Sequence, residues 1–111
     1  MLSIYPACFI KENNGSYSVI YPDLDIATCG NDLEEAFSMA IDCLAGYLYV
    51  AKEEGEEIPK ASFVADIDGK KVADMLEVSS DEVFVNFIAV DVEEYAKMHF
   101  NKNFKEKEGG R

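Results

Sequence analysis

The chain has 111 residues, 49% of them hydrophobic, with 22 acidic side chains against 10 basic ones and a formal net charge of -12. That length suits one domain, since compact domains run about 100–150 residues, and the apolar share is enough to bury a core. A field of this sign repels phosphate backbones and favours basic partners, so direct nucleic-acid binding is not expected, although acidity serves solubility equally well.

The opening Met1-Leu2-Ser3-Ile4-Tyr5-Pro6 carries neither a basic n-region nor an apolar h-region. The most apolar stretch, Phe37 to Ala51, holds Asp42 and is shorter than the roughly 20 residues a membrane span needs. Cys8, Cys29 and Cys43 are odd in number, lie in apolar patterns and lack C-x-x-C pairing. They read as small reduced core residues of a cytoplasmic protein.

The first thirty residues are strand-like. Leu2 to Ile10 is apolar and aromatic, Asn13-Asn14-Gly15 turns the chain, and Tyr17 to Tyr21 forms a second strand stopped by Pro22-Asp23. Ile26 to Cys29 is a short third strand closed by Gly30, which completes an antiparallel meander. A helix starts at Leu33, behind Asn31 and Asp32, each with a glutamate three residues on (Glu34 and Glu35). Phe37, Ala40, Leu44, Tyr47 and Ala51 trace its buried stripe, and Gly55 stands where a C-terminal cap belongs.

Met39, Ile41, Cys43, Tyr49 and Val50 lie off that stripe, so a second surface is expected to cover the helix. A neighbouring copy, a partner or the chain's own later helix would serve, and self-association is the favoured option. Farther on, Val64 to Ile67 is read as extended, Asp68-Gly69 as a turn, and Val72 to Leu76 as one or two helical turns. Val83 to Val90 is a strand apolar at nearly every position, which suggests burial on both faces. Asp91 caps a last short helix. Residues 1–100 thus form a single α+β domain, β-β-β-α-β-α, and 101–111 a flexible charged tail. The long crossover permits the fourth strand to lie parallel to an earlier one, in a mostly antiparallel sheet with its helix layer on one side.

Catalytic material is sparse. The sole histidine, His99, lies near the tail between Met98 and Phe100, and no G-x-S-x-G or phosphate-cradling Gly-Lys loop occurs. Asp23 with Asp25, and Asp66 with Asp68, are spaced to share one side of a strand, as a two-metal nuclease would require. With 22 acids in the chain such pairs arise by chance, and both sit at turns where aspartate is favoured for backbone reasons. No cofactor or metal is expected.

An ordered set of motifs resembles the HicB antitoxin family. It comprises Tyr5-Pro6-Ala7, Gly15, Tyr17-Ser18-Val19, Pro22-Asp23-Leu24, Cys29-Gly30 and Leu33-Glu34-Glu35-Ala36. It continues with Gly55-Glu56-Glu57-Ile58-Pro59, Ser62 and Val90-Asp91-Val92-Glu93-Glu94-Tyr95. The resemblance implies a partly RNase H-like fold without that enzyme's activity. It also implies the neutralising of HicA, a small basic toxin that cleaves mRNA through a histidine, and the acidity fits such a partner.

Two departures stand out. Many members of the family have Pro-Gly-Cys after Pro-Asp-Leu, where this chain has Asp25-Ile26-Ala27. Members that repress their own operon carry a C-terminal DNA-binding domain, which would begin where this chain stops at Lys105 to Arg111, so no operator binding is expected. The expected partner contacts are Tyr21, Asp23, Asp25, Asp32 and Glu35, near turns and the helix start, and each is equally suited to turn-forming or capping. The expected assembly is a homodimer or larger. The alternatives are a metal-dependent nuclease and an orphan interaction domain.

Overall fold

The computed structural model describes residues 1–78 and 82–100. The tail expected at 101–111 lies outside them. Strands β1 (Leu2–Lys11), β2 (Tyr17–Tyr21) and β3 (Ile26–Gly30) form the meander, and α1 (Leu33–Glu53) follows. After a single 3-10 turn at Val64–Asp66 come α2 (Gly69–Met75), β4 (Val83–Asp91) and α3 (Val92–His99). The sheet order is β3-β2-β1-β4, and every neighbouring pair is antiparallel.

β4 therefore runs opposite to β1, the strand it pairs with, and in the direction of β2, so the parallel relation that the crossover allows is not one between neighbours. The chain crosses the molecule twice after β3, once in α1 and once in the connection that carries α2. β4 consequently enters at the end of the sheet where α1 begins. The expected extended segment at Val64 to Ile67 is instead the 3-10 turn, closed by Ile67 N–H on Val64 O. Asp68, placed in a turn by its sequence, caps α2 by accepting from the amides of Lys70 and Lys71.

The helices occupy both faces of the sheet, not one. On the first face, Ala7, Phe9, Val19, Tyr21, Ile88 and Val90 pack against Ala36, Ala40, Leu44, Ala45 and Leu48 of α1. Alanine at so many contact positions lets the helix lie close to the strands. Phe9 stacks on both Phe37 and Phe84, with centroids 4.5 and 4.8 Å away. On the opposite face, Cys8 and Ile10 pack with Ala73 of α2 and with Val83 and Val85.

Part of the apolar side of α1 that its core stripe leaves over is covered by the chain's own α3, one of the three covers expected, while Met39 and Val50 stay exposed. Tyr49 meets Phe100 at 5.3 Å, and the Tyr95 hydroxyl donates to Asp42 at 3.0 Å. The start of α1 is seated on Gly30. A Cβ there would lie 2.4 Å from the backbone nitrogen of Ala36, so only glycine allows this approach. At the other end Gly55 takes φ +68, while Gly55 N–H bonds to Lys52 O and Glu56 N–H to Ala51 O. This paired closure is how a left-handed glycine terminates a helix.

Candidate partner-binding surface

The topology gathers several chain segments at the end of the sheet where β1 starts. These are the β2–β3 turn, the C-terminus of α1, the connection after it and the first turn of α3. Asp23 stands in the turn and holds that connection: its carboxylate accepts from Ser62 N–H and from Ser62 Oγ, both at 2.7 Å. Nearby the Tyr5 hydroxyl donates to Pro59 O at 2.6 Å. Burial, then the negative charge of Asp23 and that of Tyr47, pushes the Tyr5 phenol above its ordinary range. Asp25 lies exposed in the same turn at φ +54, a conformation that aspartate tolerates.

An open groove of about 620 Å³ lies beside this turn. Its apolar lining includes Leu2, Tyr5, Leu48, Ile58 and Val92, and its charged lining is Lys52, Glu56 and Glu93. Lys52 pairs with Glu93 at 3.5 Å, which bridges the end of α1 to the start of α3. Around the groove, Glu53, Glu54, Glu56 and Glu57 are all exposed. These four carboxylates crowd the end of α1 where the helix dipole is already negative, so they cost helix stability. Among the described residues nothing in the fold of the single chain offsets that cost. None of the four was among the contacts expected from sequence. The signal that could have found them is the acid run at the wrong end of a helix.

The five expected contacts do not form one cluster. Tyr21 is fully buried, and its hydroxyl donates to Ala40 O at 2.6 Å, which makes it a core residue. Asp23 and Asp25 belong to the acidic end. Asp32 and Glu35 stand at the other end of β3, a strand of five residues or about 16 Å. There Asp32 caps α1 by accepting from Glu35 N–H at 2.8 Å, and Glu35 accepts from Asn31 N–H at 3.0 Å.

One member of each carboxylate pair that suggested a nuclease is likewise engaged with backbone, Asp23 through Ser62 and Asp68 through the start of α2. Among the described residues no three His, Cys, Asp or Glu side chains are grouped to hold a metal ion. His99 is exposed and stacks on Tyr95 at 4.1 Å. Of the cysteines expected in the core, Cys8 is buried, Cys43 half-buried and Cys29 exposed. Cys29 faces outward because α2 covers only part of that side of the sheet. No described helix is long and apolar enough to cross a membrane.

An α+β domain with an acidic end and a groove is what the geometry provides. Residues 5–104 match the family described as HicB_like antitoxin of bacterial toxin-antitoxin system. The chain belongs to the HicB-like antitoxin family. The HicB-like chain is similar to one from a toxin-antitoxin complex from Streptococcus pneumoniae, with a TM-score of 0.71 and 29% identity. That likeness covers 86% of this chain and 73% of the other. A chain of the HicA3 and HicB3 toxin-antitoxin complex shares the fold at TM-score 0.61 and 21% identity, over 80% of this chain and 99% of that one. No curated protein sequence matches it. The turn at Asp25 excludes a proline at that position, because proline could not reach φ +54.

Proposed function

We propose that this HicB-like chain is the antitoxin of a type II toxin-antitoxin module that binds and neutralises a small basic HicA-like toxin which cleaves mRNA. The observation that carries the reading is the family match over residues 5–104. The net charge of -12 adds to it, since a surface that repels RNA attracts the cationic surface of an RNA-cleaving protein. The toxin docks at the acidic end. Asp23 and Asp25 with Glu53, Glu54, Glu56 and Glu57 face its basic side chains, and the groove beside Tyr5 and Ile58 receives apolar ones. Asp32 and Glu35 act as caps, with their exposed oxygens at the margin of the contact. Neutralisation is steric and electrostatic: the acids occupy the place of RNA phosphates and bury the toxin's catalytic histidine. The antitoxin acts in the cytoplasm as a homo-oligomer, without a cofactor and without contacting nucleic acid itself.

The test is an RNA-cleavage assay with the small basic protein encoded beside this chain. Cleavage should fall to background at one antitoxin per toxin, and the antitoxin alone should cut nothing in magnesium or manganese. Cleavage that continues at a large excess of antitoxin would contradict the proposal. RNA cut by the antitoxin alone would return the nuclease reading. Charge reversal at Asp25 and Glu56 together should weaken the complex by roughly 10- to 100-fold, at about 0.7–1.4 kcal/mol per rim charge, and mainly through slower association.

A further inference from the structure

β4 is composed as an interior strand and placed as an edge strand. From Val83 to Val90 it contains no charged side chain and no proline, and its register with β1 is unbroken. Phe84, Ile88 and Val90 lie on the α1 side of the sheet, and Val83, Val85, Phe87 and Ala89 on the other. Natural edge strands avoid such a profile by being short or by carrying charge, proline or a bulge. The opposite edge obeys that rule, because β3 is five residues bracketed by Asp25 and Asp32. β4 does not obey it. Among the described residues no strand pairs with its outer edge, and Phe84 and Phe87 remain 38% and 44% exposed. On the side of Phe87, Leu2 and Ile4 are 60% and 44% exposed beyond the reach of α2.

We propose that β4 pairs with β4 of a second copy, antiparallel across a two-fold axis, so that the two sheets join edge to edge. Charge identifies the occupant. Two copies at -12 repel wherever their carboxylates face each other, and β4 is the uncharged strip on which they can meet. A two-fold axis presents the same strip from both sides, as an isologous contact requires. A basic toxin is drawn instead to the acidic end and gains no electrostatic attraction at β4. The acids that bracket the strip are each held by a cation of their own chain. Lys11 lies 3.5 Å from Glu82, and the N-terminal amine 2.9 Å from Asp91. Eight residues give about 27 Å of strand whose outward amides and carbonyls can complete a ladder.

The inference rests on the self-association proposed above and adds the surface that performs it. Light scattering on the intact chain after size exclusion, at micromolar concentration, tests both. The parent chain should have the mass of two chains. Phe87→Lys and Ala89→Lys replace side chains exposed in the single chain, so both should keep the parent circular dichroism. Each should run at the mass of one chain, with a dissociation constant raised by roughly 30-fold or more. Val50→Lys, on the exposed side of α1, should leave the dimer intact. A parent chain of single mass would overturn the self-association and the β4 contact together. A dimer that survives both β4 substitutions, or that only Val50→Lys breaks, would overturn the β4 contact alone. Slow hydrogen exchange at the outward amides of β4, lost in Phe87→Lys, would support it independently.

Discussion

At the scale of single residues, burial and hydrogen bonding separate positions that a sequence makes look alike. Tyr21 and Asp25 both flank the β2–β3 turn, yet one is a core phenol and the other an exposed carboxylate. Tyr21→Phe should cost about 1 kcal/mol in denaturant unfolding, the ordinary worth of one hydrogen bond, and leave toxin affinity unchanged. The same burial governs alkaline stability. Burial raises the Cys8 thiol from near 9 to about 11, and burial together with the charge of Cys43 raises the Tyr21 phenol. Above pH 9 the unfolded chain therefore gives up protons that the folded chain keeps. Stability should be fully present below about pH 9 and fall steadily as pH rises toward 11, as chemical denaturation at a series of pH values would show. Cys8→Ala should flatten part of that fall; an unaltered slope would mean that the thiol has no share in it.

At the scale of elements, local pattern and distant contact divide what a reader of the sequence can see. The meander, α1, the capping role of Asp32 and the Gly55 terminus were legible because each depends on neighbours a few residues away. The Asp23–Ser62 clamp joins positions 39 apart, and nothing in either residue announces the other. The direction of β4 was illegible for a similar reason: it depends on α2, seven residues whose helical signal is weak. Which of the expected covers meets α1 was not legible, because Tyr95 and Phe100 lie in and just after a short helix beyond β4, and periodicity in α1 records only that something apolar is needed. Among 22 acids, carboxylates that cap or clamp cannot be told from free ones without coordinates. The glutamates ending α1 offer a direct check, since their two roles have opposite signs. Glu53→Gln with Glu54→Gln should stabilise the fold by about 0.3–1 kcal/mol through the dipole and loosen the toxin complex. A gain in stability with full toxin affinity would remove this end of α1 from the interface.

At the scale of the whole molecule, the surfaces sort by charge. One end of the sheet concentrates carboxylates around a groove, and one edge is neutral along β4; the first is suited to a basic partner and the second to an identical one. The two contacts centre on different parts of the fold and share only Leu2, so Phe87→Lys should still capture toxin as a single chain. The most direct test of the central claim is calorimetric titration of the purified toxin into the intact antitoxin. Tight binding at one toxin per antitoxin chain, weakened by added salt and by reversal of Asp25 and Glu56, is the predicted result. No heat and no complex with a toxin that is folded and active on RNA would contradict it.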